Sequence, residues 1–204
     1  VLTQVATNTP ANKNTGNAVL YECVRTILII ESSTTLRTLA INILGKFLAT
    51  KESNSSLPKN LRYVALASLQ KVVKYDLNAV QKHKGIILDC LKENDISIKR
   101  LALDLLSLIT NEKNIESIVK EMLNYILESD ADFLQDLTLK ICNSVERFAP
   151  NRRWHVDTII KVMTLAGNHV KDESVNSLIH IISATPELQA YSASKLFFSL
   201  KENL

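Results

Sequence analysis

Four histidines and three cysteines are the side chains of this sequence best suited to hold a metal ion or act as nucleophiles. They are His83, His155, His169, His180, Cys23, Cys90 and Cys142. The histidines lie at least 11 residues apart, so none forms the i, i+4 pair of a helical zinc site. The cysteines fit no metal-binding spacing and lie among apolar residues. We interpret the histidines as helix-surface residues and the cysteines as reduced core thiols, as expected of a cytoplasmic protein.

The rest of the sequence contains no recognisable group of catalytic residues. Acidic residues such as Asp89, Asp104 and Glu116 occur singly along polar helix faces, which is typical of solvated surfaces. The sequence has no glycine-rich phosphate loop and no serine or cysteine nucleophile motif. We therefore predict no enzyme activity, no metal and no cofactor. The alternative, a helical hydrolase or a metal protein, would require a clustered polar pocket.

Two short basic clusters are the candidate binding residues. Lys82, His83 and Lys84 lie at the start of a predicted helix, and Arg152 and Arg153 follow a proline turn. Such clusters could bind an acidic protein or an anionic lipid headgroup. The alternative is that the charges only aid solubility and that the neighbouring tryptophan anchors a helix start. The net charge of +3 is too small for a nucleic-acid-binding surface, so no nucleic acid is expected.

An internal repeat indicates which elements must position these residues. Residues 36–47, 61–72 and 98–109 align without gaps. In each copy the first, fourth, sixth, ninth and twelfth places are apolar, the second is basic, and the fifth is alanine. The alanines are Ala40, Ala65 and Ala102, and a looser fourth copy that begins at Leu134 has Thr138 in that place.

This spacing predicts helices that are buried on two sides. The apolar stripe is wider than a surface helix needs, and the alanine within it allows a neighbouring helix to approach closely. Shorter amphipathic segments, at residues 80–91, 115–127, 156–165 and 175–182, alternate with or follow the repeat helices. The copies start 25, 37 and 36 residues apart, and the longer intervals are typical of helix-pair repeats. The fold class predicted is all-α, a right-handed α-solenoid of HEAT/armadillo-like helix pairs.

The domain prediction is one solenoid segment over residues 1–204, an internal fragment of a longer trunk domain. Residues 51–59 are polar and proline-bearing, without periodicity, which predicts a mobile surface loop. The longest apolar run, residues 27–30, is too short to span a bilayer.

Several segments, in order and spacing, resemble the trunk of the adaptin large subunits, most closely gamma-adaptin. They are residues 16–24, 39–48, 61–66, 78–84, 89–92, 95–100 and 148–159. The resemblance covers nearly the whole chain, although residues 51–59 look longer than the family has and residues 168–204 match loosely.

The resemblance implies a scaffold segment in the large subunit of a clathrin-associated adaptor complex, which sorts cargo at the trans-Golgi network and endosomes. The implied partners are a beta-adaptin, a medium and a small subunit, and an Arf-family small GTPase. The implied localisation is cytoplasmic and peripheral on Golgi, endosome and clathrin-coated vesicle membranes. The alternative is another HEAT/armadillo transport receptor that binds peptide cargo along its concave face.

Overall fold

Helices make up all of the regular structure that the computed structural model describes, which covers residues 1–11, 14–30, 33–49 and 57–202. The α-helices are α1 (Leu2–Asn8), α2 (Asn14–Ile29), α3 (Thr34–Ala49), α4 (Leu57–Val72), α5 (Leu77–Gln81), α6 (Lys84–Asp89), α7 (Ile96–Ile109), α8 (Ile115–Ile126), α9 (Ala131–Phe148), α10 (Arg152–Ala166), α11 (Asp172–Ala184) and α12 (Pro186–Glu202). Single 3₁₀ turns follow α6 and α10. No helix in the described ranges is both long enough and apolar enough to cross a bilayer.

The chain divides into two compact units, residues 1–109 and 110–204. In the first unit α2, α4 and α7 form one layer, and α1, α3 and the α5–α6 segment form the other. In the second unit α8, α10 and α12 form one layer, against which α9 and α11 pack. Consecutive helices therefore form stacked pairs within each unit, and the predicted HEAT/armadillo-like class is confirmed. That residues 1–204 form one segment stays a prediction.

The alanine of the repeat lies at the centre of the first unit's core. Ala40, Ala65 and Ala102 expose none of their surface, and each lies on a helix that packs against several others. The residues in the sixth and ninth places are equally buried in all three copies. The small side chain thus allows α3, α4 and α7 to pack closely, as the sequence predicts.

In α9 threonine takes the place of this alanine, because the 3₁₀ turn after α10 packs on this position. Thr138 exposes 1% of its surface, and its hydroxyl lies 3.0 Å from the carbonyl oxygens of Gln135 and His169. His169 belongs to the 3₁₀ turn after α10. The buried hydroxyl therefore has its partners, as a polar group in a core requires.

We expect Ala102→Leu to destabilise the protein by about 1–3 kcal/mol, because three extra carbons would be forced between α7 and the helices packed on it. The change in free energy is measured by urea denaturation. Leu108→Ala on the same helix is the control, since Leu108 exposes 52% of its surface and should cost less. A fully stable Ala102→Leu variant would contradict the close packing described here.

The local structure differs from two of the predictions made from the sequence. Residues 57–59, assigned to a loop, form the first turn of α4, and residues 51–56 lie outside the described part of the chain. The segment predicted at residues 80–91 is not one helix, since α5 ends at Gln81 and α6 begins at Lys84. The break falls at His83, whose φ of −94° and ψ of 8° depart from helical values.

Candidate partner-binding sites

Lys82, His83 and Lys84 lie at the break between α5 and α6, in the first unit. Lys82 is exposed, whereas the other two side chains are half-buried. Asp76 fixes the approach to this turn, because its carboxylate accepts a hydrogen bond from the Ala79 backbone N–H at 3.0 Å. It thereby caps α5 and satisfies one of the free N–H groups at the helix start. The turn therefore presents one exposed lysine, Lys82.

The ring of His83 packs on Gly45, in the middle of α3. A Cβ added to Gly45 would lie 2.9 Å from His83 Nε2 and closer still to Cε1 and Nδ1. Glycine inside a helix is normally unfavourable by about 1 kcal/mol relative to alanine. Here the absent side chain makes room for the imidazole, and this contact holds the α5–α6 turn against α3.

Burial lowers the pKa of His83, and the positive charge of Lys82 lowers it further. Its Nε2 atom is buried and has no hydrogen-bond partner among the described residues. The ring is therefore neutral at neutral pH and adds no cationic charge to the two lysines. The structure thus limits the predicted basic cluster to Lys82 and Lys84.

Arg152 and Arg153 lie in the first turn of α10, in the second unit, and both contact residues later in that unit. Arg152 donates a hydrogen bond to the Thr185 hydroxyl at 2.8 Å. The guanidinium carbon of Arg153 lies 4.2 Å from the centre of the Tyr191 ring, which is cation–π geometry. The Tyr191 hydroxyl in turn donates to the Asp157 carboxylate, at 2.6 Å and 2.8 Å from its two oxygens.

These contacts indicate that Arg152 and Arg153 stabilise helix packing within the second unit. Positive charge in the first turn of a helix is opposed by the helix dipole, so the favourable partners on α12 and in the turn before it account for the arginines' position. Lys195 extends the cluster, with its Nζ 3.4 Å from Asp157 Oδ1. Arg152 and Arg153 remain exposed, so they can still contact a partner while they hold α12 to α10.

The sequence analysis missed a buried ion pair in the first unit. Arg62, in the second place of the repeat, exposes only 9% of its surface and forms an ion pair with Glu93 in the connection before α7. Its Nε also donates to the Leu48 carbonyl at 3.2 Å, in the last turn of α3, where carbonyls lack helical partners. One side chain therefore ties α3 and α4 to the connection that leads into α7.

All three cysteines are free and buried, as predicted. Burial raises the pKa of Cys90 to about 11 and also raises the pKa of Cys23 and Cys142. The reactive thiolate is therefore scarce at neutral pH, and none of them has the properties of a nucleophile. Within the described ranges no three His, Cys, Asp or Glu side chains group so as to hold a metal ion.

His155 makes stability depend on pH, because burial lowers its pKa, an effect that Glu146 only partly offsets. Above the ordinary histidine pKa of about 6.5, the ring is neutral whether the chain is folded or unfolded. Below it, the unfolded chain binds a proton that the folded protein resists. We therefore expect stability to fall as the pH drops below 6.5, by at most about 1.4 kcal/mol per pH unit for this group.

Urea denaturation at pH 7.5, 6.0 and 5.0 measures this loss. His155→Gln should reduce the dependence over this range without abolishing it, because the lowered pKa of His83 acts in the same direction. His180→Gln is the control at an exposed histidine and should have a smaller effect. An equal effect of both substitutions would contradict the assignment to His155.

Comparison with known proteins gives one family and a consistent set of relatives. A family model of the adaptin N-terminal region matches residues 1–203. The chain is 48% identical over 204 residues to "AP-1 complex subunit gamma" of Dictyostelium discoideum, which covers 100% of this chain and 22% of that protein. It is 43% identical over 204 residues to "AP-1 complex subunit gamma-like 2" of Homo sapiens, covering 100% of this chain and 25% of that protein.

A more distant relative covers nearly as much of the chain. "AP-1 complex subunit gamma-1" of Saccharomyces cerevisiae is 35% identical over 192 residues, which is 92% of this chain and 22% of that protein. The chain thus spans about a fifth to a quarter of the length of these curated relatives.

Proposed function

Because the chain belongs to the adaptin family, whose N-terminal region it matches over residues 1–203, we propose that it is a scaffold segment in the large subunit of a clathrin-associated adaptor complex. The complex acts in vesicle-mediated protein transport and sorts cargo at the trans-Golgi network and endosomes. The observation that carries this proposal is the match over almost the whole chain, together with relatives named as gamma subunits of AP-1 complexes.

The stacked helix pairs support a role in binding and not in catalysis. A stack of helices offers extended faces on which partner subunits can be held, with the binding energy spread over many residues. The partners we propose are a beta-adaptin, a medium subunit and a small subunit. An Arf-family small GTPase and anionic lipid would recruit the assembled complex to the membrane. The protein would accordingly be cytoplasmic and peripheral on Golgi, endosome and clathrin-coated vesicle membranes.

Affinity purification of the tagged full-length protein from cells, followed by mass spectrometry, tests the proposal. We expect a beta-adaptin, a medium subunit and a small subunit in near-equal amounts. Recovery of import-receptor cargo, or of no stable partner, would instead favour the alternative of a peptide-cargo receptor. Turnover of any substrate by the purified complex at a site in this segment would contradict a pure scaffold role.

Lys82 provides the cleanest test of the basic residues in recruitment. We expect Lys82→Glu to weaken association of the complex with Golgi membranes or with the GTPase about fivefold, because one cation near an anionic surface contributes about 1 kcal/mol. The melting temperature should not change, since exposed charges stabilise little. Membrane flotation measures the first quantity and thermal denaturation the second.

Lys113→Glu is the matched control, because Lys113 is also exposed and lies outside both basic clusters. Equal recruitment of the Lys82→Glu and Lys113→Glu variants would assign Lys82 to solubility alone. Reversal of Arg152 and Arg153 is a less specific test, since it also removes the contacts with Thr185 and Tyr191.

A further inference from the structure

The first unit contains a cleft of about 1210 Å³ that the proposed scaffold role does not use. Its described lining comes from the C-terminal parts of α2 and α4, the turn after α4, the first turn of α3 and one residue of α7. The cleft is broad and open to solvent, so it is accessible to a macromolecular ligand and not only to a small molecule.

Four basic side chains line this cleft: Arg25, Arg37, Lys71 and Lys74. The described lining residues include no carboxylate. Arg25 contacts Glu22 at 3.5 Å, but both side chains are more than half exposed. An ion pair in such an exposed position is weak. The charged side chains in the described lining of the cleft are therefore all basic, in a chain whose net charge is only +3.

Helix dipoles explain only part of this charge. Lys71 lies in the last turn of α4 and Lys74 just beyond it, where cations are favourable beside the free carbonyl groups. Arg37 lies at the opposite kind of terminus, in the first turn of α3, where the dipole opposes it. The guanidinium carbon of Arg37 lies 5.9 Å from the centre of the Tyr75 ring, which places it at the cleft beside the two lysines.

Apolar side chains also line the cleft, and several of them are exposed. Ile29 exposes 74% of its surface, Tyr75 72% and Leu108 52%. Exposed apolar residues grouped in a concave, charged setting are typical of an interaction site. A ligand complementary to this cleft must therefore combine negative charge with apolar groups.

We propose that this cleft binds an acidic peptide segment in which carboxylates alternate with bulky apolar side chains. The carboxylates would pair with Arg25, Lys71 and Lys74, and the apolar side chains would cover Ile29 and Leu108. A phosphate or an inositol headgroup would match the charge but leave the apolar half uncovered. A flat bilayer surface could not enter a concave cleft. The inference rests on the cleft itself and holds for this chain whether or not the proposed adaptor function is correct.

The test uses the full-length protein in the assembly in which it is purified from cells. The probe is a short fluorescein-labelled peptide of alternating glutamates and leucines, and its binding is followed by fluorescence anisotropy at several salt concentrations. We expect saturable binding that weakens as salt is raised. Lys71→Glu combined with Lys74→Glu should weaken it about tenfold, because each reversal replaces an attraction by a repulsion.

The matched control is Lys113→Glu combined with Lys120→Glu, which makes the same change in net charge at two exposed lysines of the second unit. It should leave probe binding unchanged. Both double variants should remain folded, with at most a small fall in the melting temperature of the Lys71–Lys74 variant, whose lysines lie at the C-terminal end of α4. A peptide with serine in place of leucine should bind more weakly, since the apolar half of the cleft then has no partner.

Four results would overturn the proposal: no binding of the probe, equal loss in both double variants, no loss in the Lys71–Lys74 variant, or equal binding of the serine peptide. If phosphatidylserine vesicles bind and lose affinity in the Lys71–Lys74 variant while the peptide does not, the ligand is a membrane surface instead.

Discussion

Replacing Arg62 by methionine is expected to lower the free energy of unfolding by about 3 kcal/mol, because it leaves a largely buried carboxylate without its partner. The side chains of Arg62 and Glu93 expose only 10% and 18% of their surface, so water replaces the lost ion pair poorly. The Leu48 carbonyl also loses the hydrogen bond from Nε. Methionine keeps the apolar length of the arginine side chain, so the loss reports the polar contacts. Urea denaturation measures it.

A double-mutant cycle separates the ion pair from the rest of the site. Adding Glu93→Met to Arg62→Met should recover much of the loss, since an apolar pair can replace a buried ion pair at little cost. Arg37→Met is the matched control at the same repeat position. Arg37 is half-buried and packs over Tyr75, so its replacement should cost no more than about 1 kcal/mol. Equal losses at the two arginines would contradict a special role for Arg62.

Gly45→Ala is expected to destabilise the protein by about 2 kcal/mol, although alanine favours a helix. The added methyl group would overlap the imidazole of His83, and the α5–α6 turn would have to move away from α3. In an open helix the same substitution would stabilise by about 1 kcal/mol. The sign of the change in the denaturation midpoint therefore decides between packing and helix propensity.

Gly85→Ala is the control for this substitution, because a Cβ there would meet nothing within 4 Å. It should be neutral or slightly stabilising. His83→Ala in the Gly45→Ala background should restore most of the lost stability by removing the overlap. If the double variant is no more stable than Gly45→Ala alone, the His83 contact is not the cause.

The repeat correctly predicts the buried face of its helices, but the apolar pattern alone does not show which polar residues lie on that face. The fifth, sixth and ninth places follow the second by three, four and seven residues, which puts the second place on the buried side of the helix. Arg62 and Lys99 are indeed buried there, exposing 9% and 7% of their surface. The partner of Arg62 lies 31 residues away in a connection, where the repeat gives no signal.

The contacts of the two basic clusters could not be predicted from the sequence either. Lys82, His83 and Lys84 look alike in a charge pattern, but the imidazole fits a space that a glycine of another helix provides. The contacts of Arg152 and Arg153 with Thr185 and Tyr191 likewise depend on residues more than 30 positions later in the chain. Helix type and core could be predicted because they follow local periodicity. The clusters' contacts could not, because they depend on tertiary packing.

The three buried cysteines allow local opening of the fold to be measured by chemical labelling. Cys23 and Cys90 belong to the first unit and Cys142 to the second. A maleimide reagent can reach each sulfur only when the surrounding helices separate, so its labelling rate measures how often that neighbourhood opens. The Arg62 and Gly45 variants should accelerate labelling at Cys90, which lies beside the Arg62–Glu93 pair. Without any engineered labelling site, the native cysteines thus distinguish local fluctuation in one unit from fluctuation in the other.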